Sequence, residues 1–197
     1  MTALFAWVVA ASTLLAPARQ HEPLAEAIAQ NAEAEAPLFK GDDDRHRTTA
    51  LLVAIAFRES SLIPTAVGDH VAGRPTSFCA FQLHLPWGAK TAEGWTGADL
   101  IEDPHKCVAA AMHLLRASMR ACPSSPLAWY AEGPAGCESA RAQRISRDRL
   151  AIAQRLVRDV RVNAGPTSTA VPALTLGPSS GAKDPVLDRP RPFCGGA

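Results

Sequence analysis

The sequence has no excess of either charge: Lys and Arg number 20 against 19 for Asp and Glu, a formal net of +1 over 197 residues. That balance removes the main reason to expect a nucleic-acid partner, because phosphate backbones select clearly cationic proteins. Charged residues are only 20% of the chain and apolar ones 47%. Wholesale disorder is therefore excluded, and the chain can bury the core of one domain; two domains are not expected. No apolar run reaches the roughly 20 residues that a membrane-spanning helix needs, and no internal repeat is present. Helix breakers are plentiful instead, with 16 Pro and 13 Gly, and there are five Cys. The cysteine count bears on both compartment and chemistry.

The two ends differ in kind. Residues 1–15 are almost wholly apolar and lead into Ala16-Pro17-Ala18, the small-x-small form of a signal-peptidase site. Residues 1–18 therefore read as a signal peptide and the protein as exported, to periplasm, envelope or medium. The n-region has no Lys or Arg, and the alternative reading is an uncleaved apolar N-terminal helix. Residues 19–45 read as a short helix, with Leu24 and Ile28 at i,i+4, followed by the acidic run Asp42-Asp43-Asp44, which suits the start of the next helix. In residues 163–197, eleven of 35 are Pro or Gly, the composition of a tail or linker. The compact domain is then residues 46–162.

Within that domain the patterns are helical. Residues 50–57 form a continuous apolar run between Thr48-Thr49 and Arg58-Glu59, as expected of a central helix buried on most sides. Glu59 falls at its C-terminal end, where the helix dipole and burial both favour a protonated carboxyl. Asp103-Pro104 opens a second helix with an N-cap and a proline at N1, and Val108, Met112, Leu115 and Met119 line its inner face. A third helix over residues 138–160 carries Ile145, Ile152, Leu156 and Val160 as its stripe, with seven arginines between Arg141 and Arg161 on the remaining surface. Residues 64–97, rich in Gly and Pro, are expected to be loops with a small hairpin at most. The fold class is mainly α, with a loop and hairpin region beside a cleft.

Three segments carry the candidate chemistry. The first is Glu59-Ser60-Ser61 with Pro64, Ala66, Gly68 and Asp69 following. Ser77-Phe78-Cys79-Ala80-Phe81-Gln82 is the second, and Ala128-Trp129-Tyr130-Ala131-Glu132-Gly133 is the third. In this order and spacing they resemble the lysozyme-like domain of soluble lytic transglycosylases and goose-type lysozymes, over about residues 48–133. The resemblance implies a lysozyme-like fold acting on peptidoglycan glycan strands, with no cofactor and no metal. It makes Glu59 the general acid/base. Ser60 supports that carboxylate or meets sugar, Gln82 reaches an N-acetyl group, and Tyr130 orients acid or substrate. Two residues depart from the family pattern: Cys79 stands where Gly is usual, and Ala131 where Asn is usual after the Tyr.

Cleaving the β-1,4 bond between N-acetylmuramic acid and N-acetylglucosamine needs a protonated carboxyl on the glycosidic oxygen. Lytic transglycosylases use one Glu and close a 1,6-anhydro ring. An inverting muramidase, the alternative, needs a second group to hold water, and Asp69 and Glu132 are the candidates. Trp87, Trp95 and Trp129 are candidate flat faces for sugar rings. A Cys122–Cys137 bridge would close the segment that presents Tyr130, and a Cys79–Cys107 bridge would tie the Gln82 segment to the second helix, leaving Cys194 in the tail. Two rival classes use the same residues: a metal site from Cys79, His84, His105 and Cys107, and a non-catalytic wall-binding protein of the same shape. A monomer is expected, and carriage in a phage particle is an alternative to export.

Overall fold

The structure, a computed structural model, describes residues 2–163. It is mainly helical with one small sheet. In chain order the elements are α1 (Ala3–Leu15), α2 (Glu22–Ala34), α3 (Asp44–Ser60), β1 (Val67–Val71), β2 (Arg74–Phe78), β3 (Leu83–His84), α4 (Gly97–Glu102), α5 (Pro104–Ala121), α6 (Ala128–Glu132), a 3₁₀ turn (Gly133–Cys137) and α7 (Ala140–Asn163). Apart from Asn163, the Pro/Gly-rich tail lies outside the described residues, as does Cys194.

α3 is the axis of the core. Every residue from Thr48 to Ala56 is buried, which a helix achieves only when neighbours cover all its sides; α1, α2 and α7 pack against it. Asp44 lies in its first turn, where a negative charge suits the dipole. At the other end Ser61 and Leu62 both take left-handed φ. Their N–H groups bond to the carbonyls of Phe57 and Ala56, a nested pair that satisfies carbonyls left open at the helix end. The sharp reversal leaves Glu59 in the last turn, at the surface end of an otherwise buried rod.

α1 behaves as a core helix. Leu4, Trp7, Val8 and Ala11 recur at helical spacing and are all buried in the main core, and the Trp7 ring meets His46 of α3 edge-on at 5.6 Å between centroids. Residues 1–18, expected to be a leader, supply this helix and the turn that follows it. α2 presents more than the expected Leu24 and Ile28: Ala25, Ala27, Ala29 and Ala32 are buried as well, so alanines let α1 and α5 approach it on two sides.

α5 follows its sequence signals closely. The Asp103 side chain accepts from the His105 and Lys106 N–H groups, Pro104 opens the helix, and Val108, Met112 and Leu115 are fully buried. α4 was not expected. It is fixed by a capping box in which Thr96 and Asp99 bond to each other's backbone N–H.

Residues 67–84 form a three-stranded antiparallel sheet in the order β1-β2-β3, more than the single hairpin expected. Val67 pairs with Phe78 and Val71 with Arg74, and Ser77 and Phe78 then pair with His84 and Leu83. The β1–β2 turn is Ala72-Gly73, both with positive φ, as a two-residue type I′ turn requires. Alanine is a poor residue there, which is why the hairpin signal in the sequence is faint.

Two disulfides staple these parts. Cys79 joins Cys107, with 6.2 Å between Cα atoms, and Cys122 joins Cys137 at 5.4 Å. The cysteines of the rival metal reading are therefore bonded to each other, which removes two of its four ligands. Cys79 also adopts φ 61°, a glycine-like conformation, here occupied by a residue held in place through its sulfur. Breaking this bridge with Cys107→Ala is expected to cost about 3 kcal/mol and to lower the melting temperature by about 10 °C in a thermal scan without reductant.

Candidate active site

The three motif segments converge on one cleft of about 700 Å³, within the range of about 300–1,000 Å³ typical of ligand sites. Glu59 of α3 lies on its floor. The sheet contributes Asp69, Ser77, Leu83 and His84, and the turn before β3 contributes Gln82. Trp129, Tyr130, Ala131 and Glu132 of α6 form the facing wall, and α7 closes the remaining side with Arg141, Ile145 and Arg149. Two smaller hollows, of about 290 and 330 Å³, join no carboxylate to a cation.

Glu59 is about four-fifths buried and is held from α7: Arg149 donates through Nη2 to its Oε1. Arg149 is itself buried. Its Nη1 donates to the Ile145 carbonyl at 3.3 Å, while Nε has no hydrogen-bond partner. The neighbouring Arg58 points elsewhere and pairs with Asp148 at 2.8 Å. A helix-end glutamate is ordinarily paired with an arginine, and that pair is present here, made by Arg149 ninety positions away rather than by Arg58.

Tyr130 is fixed by residues that sequence reasoning did not single out. Its N–H donates to Ser118 Oγ of α5 at 2.9 Å, and Ser118 in turn donates to the Pro126 carbonyl at 2.7 Å. The Leu127 N–H donates to Ser146 Oγ of α7. Gly136 completes the frame, because a Cβ there would stand 2.1 Å from the Ala128 carbonyl oxygen. The Tyr130 hydroxyl donates to the Phe81 carbonyl at 2.5 Å and so links the two walls of the cleft. Burial, together with the nearby Glu59 charge, pushes its pKa well above the ordinary tyrosine value. Tyr130 is therefore a neutral strut rather than a hydrogen-bond partner of Glu59.

Gln82 sits at φ 48° on the cleft edge, with Nε2 donating to the Cys79 carbonyl at 3.0 Å. Its Oε1 packs so tightly on Gly68 that a Cβ at position 68 would come within 2.3 Å. Asp69 Oδ2 accepts from Ser77 Oγ at 2.6 Å, which turns this carboxylate along the sheet into the cleft. Glu132 lies 3.5 Å from Arg141 Nε at the far wall.

Two expectations need correction. Ser60 does not line the cleft: its hydroxyl donates to the Ala56 carbonyl and accepts from the Ile63 N–H, so it locks the turn after α3. Of the three tryptophans, only Trp129 lines the cleft. Trp95 is partly buried against the core, and Trp87 is 81% exposed with the Arg74 guanidinium 4.4 Å above its ring.

No family model, curated protein or solved structure matches the chain.

Proposed function

We propose that the protein is an exported peptidoglycan-cleaving enzyme, a lytic transglycosylase with Glu59 as its general acid/base. The observation that carries this reading is the convergence of three separate segments on one cleft, with Glu59 below Gln82 and Tyr130. A glycan chain is long and polar, and a cleft with carboxylates, an amide and a tryptophan face offers it both hydrogen bonds and a stacking surface.

In the proposed reaction Glu59 protonates the glycosidic oxygen as the bond from C1 of N-acetylmuramic acid to that oxygen breaks. The C6 hydroxyl of the same sugar then attacks C1, and its proton returns to Glu59. One carboxyl thus serves in both steps. Asp69 favours the second reading. Its hydrogen bond to Ser77 and its exposure to the cleft suit a carboxylate that holds water, as an inverting muramidase requires.

Incubation with purified peptidoglycan tests the reading: the wild type is expected to release soluble fragments, and a well-folded protein that releases none would overturn it. Gly68→Ala tests the part of Gln82. The added methyl displaces only the end of a flexible side chain, so the melting temperature is expected to hold. KM for soluble glycan fragments is expected to rise about tenfold, the cost of one lost hydrogen bond.

A further inference from the structure

Among the described residues Arg149 is the cation in direct contact with Glu59. It is buried, anchored to the Ile145 carbonyl through Nη1 and joined to Glu59 Oε1 through Nη2. An arginine desolvated to this degree is ordinarily present for its partner, since an unpaired buried charge is costly.

We propose that Arg149 is a positioning residue that takes Oε1 of Glu59 for itself and leaves Oε2 to face the glycosidic oxygen and carry the transferable proton. The proposal rests on the glycosidic reading of the cleft. With Arg149 fixed on Oε1, the proton of the carboxyl resides on Oε2 and the side chain cannot turn freely, so Arg149 sets orientation as well as charge. The other charged or titratable groups lining the cleft around Glu59 are Tyr130 and Glu132 from α6, Asp69 and His84 from the sheet, and Arg141 from α7. Arg141 pairs with Glu132, Tyr130 is neutral, and the two sheet groups lie on the opposite wall. Arg149 is thus the positive charge that bears on Glu59 most directly.

The test compares the wild type with Arg149→Met and Arg149→Lys on soluble glycan fragments. In Arg149→Met kcat is expected to fall about tenfold while KM is unchanged, because Arg149 orients the acid and does not hold the sugar. Arg149→Lys restores a donor to Oε1 and should recover most of the lost kcat. An unchanged kcat in Arg149→Met, or a lysine variant that behaves like the methionine variant, would overturn the proposal. The Glu59 carboxyl carbon, assigned in ¹³C-glutamate-labelled protein by comparison with Glu59→Gln, is observed by NMR in the absence of glycan. A resonance that moves in Arg149→Met and returns in Arg149→Lys supports the pairing even if no glycan is cleaved, in which case the glycosidic reading alone fails. A resonance that stays in place sinks the role assigned to Arg149 whatever the enzyme's activity.

Discussion

Protein lacking residues 1–18 is expected to lose its cooperative thermal transition or to melt tens of degrees below the full chain. Leu4, Trp7 and Val8 are buried in the main core, and fully burying each large apolar side chain contributes about 1.5–3 kcal/mol. Three of them together approach the whole net stability of an ordinary domain, about 5–15 kcal/mol. Removing α1 also uncovers the faces of α2, α3 and α7 that pack against it. Trp7→Ala alone, in the full chain, is expected to cost about 3 kcal/mol. Circular dichroism during heating reads both changes. An unchanged transition after truncation would mean that α1 adds nothing to the folded domain, as a removable leader would; N-terminal sequencing of the exported protein would then be expected to begin at Arg19.

Glu59→Gln is expected to reduce glycan cleavage by about 100- to 10,000-fold, the range associated with loss of a general acid/base. The amide cannot supply the proton, but its carbonyl oxygen can still accept from Arg149, so the buried guanidinium keeps a partner and the fold is expected to persist. Binding of the variant to insoluble peptidoglycan should match that of the wild type, which separates chemistry from substrate capture. Full activity in a folded Glu59→Gln protein would remove Glu59 from the mechanism.

Much of the helical framework is legible in the sequence because it is written in local signals. The Asp103-Pro104 start of α5 and the apolar run of α3 each state an element and the face or extent of its burial. The site is less legible, for a physical reason. The expected stripe of α7 was Ile145, Ile152, Leu156 and Val160, but Ile145 and Ile152 lie on its shoulders. The buried line runs through Ala142, Ser146, Arg149, Ala153, Leu156 and Val160. Two of those six are polar, because Ser146 holds the α6 backbone and Arg149 holds Glu59. A pattern that looks for apolar residues skips them, and among seven arginines nothing local distinguishes Arg149. Ser118 is hidden in the same way within the apolar face of α5. A polar residue on a core stripe at helical spacing was the signal available for all three.

Cys79 shows the converse case, in which the sequence is informative once the backbone is known. The left-handed φ at that position suits glycine, and the bond to Cys107 explains how a cysteine is tolerated. Trp87 illustrates a different limit. Its composition value as a flat apolar face is the same as that of Trp129, and only the path of the chain after β3 decides which of them meets the cleft.

Mass spectrometry of the fragments released from purified peptidoglycan by the wild-type protein tests the central claim most directly. Fragments ending in 1,6-anhydromuramic acid, each lighter by one water than the hydrolytic product, are the expected result. Free reducing ends would contradict the transglycosylase mechanism and assign the second role to Asp69, while an absence of glycan fragments would contradict the claim that this cleft cleaves glycan at all.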